Sequence, residues 1–186
     1  TEIIYCSANN LNNIIITNNY IGAPDTRERG YSLYLLSGLS GTIENNVIQG
    51  KVSIYNSVFN NNIMVSGTFD QSNCTYTHNI GNSTQFGTEN GNQQNIVMDS
   101  VFVGATGNSS DGQWQLKSGS PAIGAGVGGI DCGMFGGDFP YHLSGLPSIP
   151  AIYYHQQTID NVNQQLNITI KAKSHNYIEA IELANV

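Results

Sequence analysis

A six-residue phrase recurs within residues 11–63, and it decides the predicted fold. Each copy has an apolar residue, any residue, Asn, then Asn or Ser, any residue and a second apolar residue. The copies are Ile16-Thr17-Asn18-Asn19-Tyr20-Ile21, Ile43-Glu44-Asn45-Asn46-Val47-Ile48 and Ile54-Tyr55-Asn56-Ser57-Val58-Phe59, with Tyr76-Thr77-His78-Asn79-Ile80 as a degenerate fourth. Repetition of this kind indicates a stacked architecture.

Short apolar runs surround these phrases, and they have the length of strands. Residues 2–6, 14–17, 31–36, 51–55 and 63–66 are each followed by Gly, Asn or Ser and contain no Pro. Asn tolerates left-handed backbone angles at a corner, and stacked Asn side chains can hydrogen-bond from coil to coil. We therefore predict an all-β fold, a right-handed parallel β-helix (solenoid). The alternative, an antiparallel sandwich of short strands, would not need the same Asn phrase repeatedly.

A second group of phrases lies further along the chain. They are Asp99-Ser100-Val101-Phe102-Val103, Trp114-Gln115-Leu116-Lys117-Ser118-Gly119-Ser120-Pro121-Ala122-Ile123-Gly124-Ala125-Gly126 and Asp131-Cys132-Gly133-Met134-Phe135-Gly136. They resemble the closing segment of bacterial right-handed parallel β-helix proteins, which are pectate-lyase-like solenoids similar to the choice-of-anchor group. The family usually has Asp-Pro at the first phrase and Asp-Ile-Gly-Ala-Phe at the last. The resemblance implies a secreted or cell-surface bacterial protein.

The same phrases predict how the solenoid is closed. An open solenoid end exposes apolar side chains, so we expect a Gly-rich C-terminal cap over the last coil. The residues expected to form this cap are Trp114, Leu116, Ile123, Met134 and Phe135.

The predicted domains are residues 1–137 for the coils and cap, residues 138–150 for a Pro-containing linker, and residues 151–186 for a small β appendage or truncated β-sandwich-like module. Within the appendage, residues 166–173 alternate apolar and polar, which predicts a strand. Residues 151–155 are its expected partner, and residues 177–183 are a predicted third strand.

Composition excludes several classes of partner. The chain of 186 residues has 6 Lys and Arg against 13 Asp and Glu, a formal net charge of -7. This balance argues against nucleic acid and against anionic membrane surfaces, and no stretch approaches the ~20 apolar residues of a membrane span. Without an initiator Met or signal peptide, we expect a piece of a longer protein. Its uncapped first coil is then a candidate surface for self-association.

The three cysteines, Cys6, Cys74 and Cys132, form no Cys-x-x-Cys pair, so no zinc site is predicted. Buried thiols acting as small apolar residues, or one disulfide with one thiol left over, both remain open. We expect no bound cofactor. Asp99, Asp111 and the Ser109-Ser110 loop are candidate Ca²⁺ ligands, with turn formation as the competing role.

No catalytic residues are predicted. Inverting glycosidases need paired carboxylates, and lyases need a base near Ca²⁺. The phrases Asn-Thr-Asp, Asp-Asp and Gly-His-Gly, typical of polygalacturonase-like enzymes, do not occur in the chain. The carboxylates of the repeat region, Asp25, Glu28, Glu44 and Asp70, are widely spaced.

One charged stretch is a candidate binding site. Asp25, Arg27, Glu28 and Arg29 are followed by Tyr31 and Tyr34, so Arg could contact an acidic sugar and Tyr could stack on a ring. The competing interpretation is a solvated loop with internal ion pairs. We predict a non-catalytic C-terminal region of an extracellular β-helix protein, with polysaccharide as its candidate ligand. The alternative is a fragment of a polysaccharide lyase or glycoside hydrolase whose active residues lie on other coils.

Overall fold

A computed structural model describes residues 4–6, 11, 13–22, 31–144, 151–160, 163 and 165–173. The chain divides into two compact units, Thr1–Tyr141 and His142–Val186. The described residues contain strands and short 3₁₀ turns but no α-helix. The strands of the first unit are β1 (Ile4–Cys6), β2 (Ile14–Thr17), β3 (Tyr20–Gly22), β4 (Tyr31–Leu35), β5 (Gly41–Glu44), β6 (Val47–Gln49), β7 (Lys51–Tyr55), β8 (Val58–Asn60), β9 (Ile63–Ser66), β10 (Phe69–Ser72), β11 (Thr75–Thr77) and β12 (Ile80–Gly81).

These strands form four coils of a right-handed parallel β-helix, as predicted. Each coil contributes one strand to each of three sheets: β1-β4-β7-β10 is sheet A, β2-β5-β8-β11 is sheet B and β3-β6-β9-β12 is sheet C. Every strand pair in these sheets is parallel. Parallel pairing rules out the antiparallel sandwich for this unit.

Alternate residues of every strand point into the solenoid, because side chains alternate across a strand. Ile16, Ile43 and Phe59 stack in register at the centre, and all three are buried. Phe86 completes this core: its ring centroid lies 5.8 Å from that of Phe59 and 4.9 Å from that of Phe69. In sequence, residues 82–95 are polar and Gly-rich, which is typical of a loop. The structure shows that this loop carries an aromatic side chain into the core beside the last coil.

The corner between sheets B and C explains the repeated asparagines. Its first position is left-handed in all four coils, with φ values of 57° at Asn18, 53° at Asn45, 57° at Asn61 and 54° at His78. His78 therefore has a structural role here, in a position that Asn fills elsewhere. Left-handed angles are several-fold enriched in Asn and His among non-glycine residues. The predicted corner role of the asparagines is confirmed.

The second position of this corner forms a hydrogen-bonded column, here called the Asn ladder: Asn19, Asn46, Asn62, Asn79 and Asn92. Asn19 is exposed and the other four are buried. From Asn46 onward, each Oδ1 accepts from the backbone N–H and the Nδ2 of the ladder residue before it. For Asn62 and Asn46 both distances are 3.0 Å, and the two residues are 16 apart in sequence. The Nδ2 groups also donate to strand carbonyls, as Asn62 does to Ile43 at 2.9 Å.

The phrase around Asn56 belongs to another corner, between sheets A and B. Asn56 is left-handed there with φ 46°, and Asn73 repeats it with φ 56° one coil later. Ser57 and Cys74 take the place of the ladder residues: the backbone N–H of Ser57 donates to the Cys74 Sγ at 3.4 Å. One sequence phrase therefore marks two different corners.

Residues 96–141, here called the strap, pack along the side of the solenoid. Met134 and Cys132 bury the outward-facing Val47, Ile63 and Ile80 of sheet C. The predicted position of the cap residues, Met134 among them, was over the last coil. The strap instead reaches the first coil, where Trp114 stacks on Tyr20 with ring centroids 4.6 Å apart.

The outer asparagines of the sheet B to sheet C corner hold the strap in place. Asn18 Nδ2 donates to the carbonyl of Gly136 at 2.7 Å, and Asn45 Nδ2 donates to that of Asp131 at 3.0 Å. Asn61 Oδ1 accepts from the N–H of Val127 at 2.9 Å. The first asparagine of each pair thus binds the strap, while the second builds the ladder.

All three cysteines are free thiols, so no disulfide forms, and Cys132 is buried whereas Cys6 and Cys74 are half-buried. Cys132 is buried under the strap and donates to the carbonyl of His78 at 3.2 Å. Burial, with a smaller contribution from the charge of Asp131, raises the pKa of Cys132 to about 12. The thiol is therefore protonated and acts as a small apolar residue.

The second unit contains an antiparallel pair, β13 (Ala151–Asp160) and β14 (Gln165–Lys173). The two strands predicted there are confirmed, and β13 extends further than expected. The predicted third strand, residues 177–183, lies outside the described residues. None of the described helical segments has the length and apolarity of a membrane span.

Candidate functional site

The outward face of sheet A brings together residues that are far apart in sequence. Tyr5 pairs with Tyr34, Tyr34 with Ser53, and Ser53 with Asp70, so one outward residue from each coil lies in a single row, within which Ser53 is buried. Tyr31 pairs with Lys51 at the start of β4 and β7. We call this set the tyrosine strip; its members are Tyr5, Tyr31, Tyr34, Lys51, Ser53 and Asp70.

The three rings of the strip pack against one another. Tyr5 and Tyr34 are stacked, with centroids 5.1 Å apart and planes 14° apart. Tyr31 meets Tyr34 edge-on at 5.0 Å and 64°. Such cross-strand aromatic pairs stabilise the sheet. Because Tyr5 ends the row and is 50% exposed, its outer face is the surface best placed to stack on a ligand.

Lys51 supplies the positive charge of the strip. Its Nζ lies 4.7 Å from the centroid of the Tyr31 ring and 3.2 Å from Asp70 Oδ2. The hydroxyl of Tyr31 and the carboxylate of Asp70 raise the pKa of Lys51. The ammonium therefore stays charged at neutral pH, which makes Lys51 a hydrogen-bond donor and a poor general base. As an exposed ion pair, Lys51 and Asp70 add little to stability.

Two of the six residues predicted to bind a ligand can be located. Tyr31 and Tyr34 lie next to each other in the strip. Asp25, Arg27, Glu28 and Arg29 lie outside the described residues. In sequence they precede Tyr31, with Gly30 between Arg29 and Tyr31.

The sequence interpretation missed Tyr5, Lys51 and Asp70. A usable signal was present: Ile4-Tyr5-Cys6 and Leu33-Tyr34-Leu35 share an apolar-Tyr-apolar pattern, and the structure pairs these tripeptides residue by residue. Lys51 and Asp70 carry no such signal, because their contact with the strip depends on the register between coils.

One outward row of sheet B, which includes Glu44, Asn60 and Thr77, is polar, but its groups bind one another. Asn60 Nδ2 donates to Glu44 Oε1 at 3.3 Å, and Thr77 Oγ1 donates to Asn60 Oδ1 at 3.0 Å. Glu44 lies on this sheet and Asp70 on sheet A. The described carboxylates of the coils therefore do not form the close pair that a glycosidase needs.

The two aspartates weighed as Ca²⁺ ligands have other contacts. Asp111 caps a 3₁₀ turn by accepting from the N–H of Gly112 at 3.0 Å, and its other oxygen accepts from the Tyr141 hydroxyl at 3.3 Å. The Asp99 carbonyl accepts from Lys117 Nζ. Among the described residues, His, Cys, Asp and Glu side chains do not gather into a group of three able to hold a metal ion. Comparisons of the chain with protein-family models, with curated proteins and with solved structures gave no match.

Proposed function

We propose that the tyrosine strip binds a polysaccharide, and that this chain is a non-catalytic region of a secreted or cell-surface bacterial β-helix protein of the pectate-lyase-like kind. The observation that supports this is the row of Tyr5, Tyr34, Ser53 and Asp70 on one outward face. With coils about 4.8 Å apart, four coils extend about 14 Å along the axis. A straight row of this length suits a linear polymer better than a compact ligand.

The chemistry of the strip suits sugars. A sugar ring has a C–H face that packs on an aromatic ring, and hydroxyl groups that need donors and acceptors. Tyr5 offers the ring face, while Lys51, Asp70 and the tyrosine hydroxyls offer polar groups. Because the strip carries one cation and one anion, it suits a hydroxyl-rich polymer better than a highly charged polymer such as nucleic acid.

The test is binding of the full chain to pectin, alginate and chondroitin by calorimetry and affinity electrophoresis. We expect Tyr5→Ala and Lys51→Ala each to weaken binding by roughly tenfold, since an aromatic or charge-assisted contact contributes about 1–1.5 kcal/mol. Tyr153→Ala is the matched control, because Tyr153 is 51% exposed but lies in the second unit. Unchanged affinity in both strip variants, or loss of binding in the control, contradicts the proposal. Turnover of any of these polymers would replace the binding role with an enzymatic one.

A further inference from the structure

The three rings of the tyrosine strip differ in what they can offer a ligand. Tyr34 stacks on Tyr5, with centroids 5.1 Å apart, and is met edge-on by Tyr31. The Tyr31 ring in turn has the Lys51 ammonium 4.7 Å from its centroid. Tyr5 is the most exposed of the three rings. A sugar that stacks on the strip therefore packs on Tyr5, which lies on the first coil.

The charged groups of the strip lie further along the solenoid axis, on the third and fourth coils. Lys51 Nζ is 3.2 Å from Asp70 Oδ2, and the two side chains are 38% and 54% exposed, so a ligand can reach both. Ser53, which lies between Tyr34 and Asp70 in the row, is buried. With coils about 4.8 Å apart, Tyr5 and Asp70 are about 14 Å apart along the axis. The ring and the ion pair are thus two separate contact points, further apart than the width of one sugar.

The ion pair suits two neighbouring hydroxyl groups. A hydroxyl both donates and accepts hydrogen bonds, whereas an ammonium only donates and a carboxylate only accepts. One sugar hydroxyl can therefore donate to the Asp70 carboxylate while its neighbour accepts from the Lys51 ammonium. Both bonds are charge-assisted, which makes them stronger than bonds between neutral groups. A carboxylate on the sugar could use only Lys51 and would be repelled by Asp70.

The charge of the strip is balanced, within a chain that is acidic as a whole. Lys51 and Asp70 cancel each other. Residues 25–29, which precede the strip in sequence, contain two acidic and two basic residues and so add no net charge. The whole chain carries a formal net charge of -7. An anionic polymer therefore meets no excess of positive charge here, and the field of the whole chain opposes its approach.

We propose, as a refinement that rests on the proposed function, that the strip selects an uncharged, hydroxyl-rich polysaccharide and contacts more than one of its sugars. One sugar packs the C–H face of its ring on Tyr5. Two neighbouring hydroxyls of a later sugar bind the ion pair, the first donating to Asp70 and the second accepting from Lys51. Chains of uronic acids are disfavoured, because their carboxylates face Asp70.

Pectin provides two matched ligands, since methyl esterification removes the charge of its uronic acids and leaves the backbone unchanged. Binding of the full chain to fully esterified pectin, and to the same preparation after enzymatic de-esterification, is measured by calorimetry at low and at high salt. We expect the esterified form to bind about fivefold more tightly at low salt, the effect of one like charge a few ångströms from Asp70 in water. The difference should shrink at high salt, because screening weakens the repulsion.

Asp70→Asn should reverse this preference. The change removes the charge-assisted acceptor, so the esterified form should bind roughly tenfold more weakly. It also leaves the charge of Lys51 without its partner, so the de-esterified form should bind more tightly. Glu44→Gln is the matched control, because it changes the net charge equally and keeps an oxygen for Asn60, but lies on sheet B. Both affinities should be nearly unchanged in the control.

The outcomes separate this refinement from the proposed function. Tighter binding of the de-esterified form, still weakened by Tyr5→Ala, would overturn the refinement and leave polysaccharide binding in place. An equal response to Asp70→Asn and Glu44→Gln would also overturn it, because net charge and not the ion pair would then set the preference. A preference for the de-esterified form that disappears with Arg27→Gln and Arg29→Gln would assign an acidic sugar to that stretch instead. Binding of neither form would contradict both proposals.

Discussion

Removing one asparagine from the middle of the ladder should cost a large part of the stability of the solenoid. Asn62 is fully buried, and its Nδ2 donates to Ile43 O at 2.9 Å, Asn60 O at 2.8 Å and Asn79 Oδ1 at 3.2 Å. Its Oδ1 accepts twice from Asn46. Asn62→Ala deletes all of these bonds and leaves the buried N–H of Asn46 without its acceptor.

Each net hydrogen bond contributes about 0.5–1.5 kcal/mol, and an unsatisfied buried group costs about 1–3 kcal/mol. Because the lost bonds share atoms, they do not add in full, and we expect Asn62→Ala to lower the free energy of unfolding by about 3–5 kcal/mol. Asn19→Ala, at the open end of the ladder, should cost only about 1 kcal/mol. Asn62→Asp keeps the shape but buries a charge beside three acceptors, so it should cost at least as much as Asn62→Ala.

The assay is urea unfolding followed by far-UV circular dichroism and by the fluorescence of Trp114, the single tryptophan. A loss below about 1 kcal/mol for Asn62→Ala would refute the view that the ladder stabilises the coils through hydrogen bonds. So would parent-like stability of Asn62→Asp, because it would mean that shape alone matters.

Three further predictions concern the core and the strap. Phe86→Ala should cost about 3–5 kcal/mol by emptying the core beside the last coil, whereas Ile123→Ala, at a side chain that is 50% exposed, should leave the urea midpoint nearly unchanged. The Cys132 thiol, with its pKa raised to about 12, should resist iodoacetamide at pH 8 until the chain unfolds, as read by mass spectrometry. The unfolded thiol ionises near its ordinary pKa of 9.0. The stability gained by keeping the buried thiol protonated should therefore be present below pH 9 and decline as pH rises towards 12. A Cys132→Ala variant should lack this pH-dependent part of the stability. Gly133→Ala, at φ 87° with its new Cβ 2.7 Å from an isoleucine side chain, should shift Trp114 fluorescence and the urea midpoint more than Gly119→Ala, where φ is 76° and space is open.

The sequence could predict the solenoid because its corners are local. A left-handed corner at Asn18 or Asn45 needs only that residue and its neighbours, so the phrase is visible without knowing which coils touch. For the same reason the phrase at Asn56 could not be told from the other copies. It turns the chain from sheet A to sheet B, whereas the others turn it from sheet B to sheet C. Distinguishing the two corners requires the number of residues between them, and insertions in the first coil hide that spacing.

The binding strip and the closure of the core could be predicted only in part, because both depend on contacts between distant residues. Phe86 lies in a polar, Gly-rich segment with no periodicity, and only the packing around it shows that it is buried. Tyr34 is a predicted site residue because it follows a charged stretch in sequence. Tyr5 lies beside Tyr34 only because β1 and β4 pair in parallel register, which the sequence alone does not show. Trp114 and Met134 are covering residues, as predicted, although the surface they cover is the side of sheet C.

The strap changes how the coils depend on one another. A solenoid held only by contacts between neighbouring coils can fray from either end, one coil at a time. Here one segment binds Asn18 in the first coil, Asn45 in the second, Asn61 in the third and His78 in the fourth. Loss of the first coil therefore also releases bonds that hold the strap against the other three. The four coils should consequently melt as one cooperative block, and a pulling force applied along the axis should meet a single large barrier in place of a series of small ones.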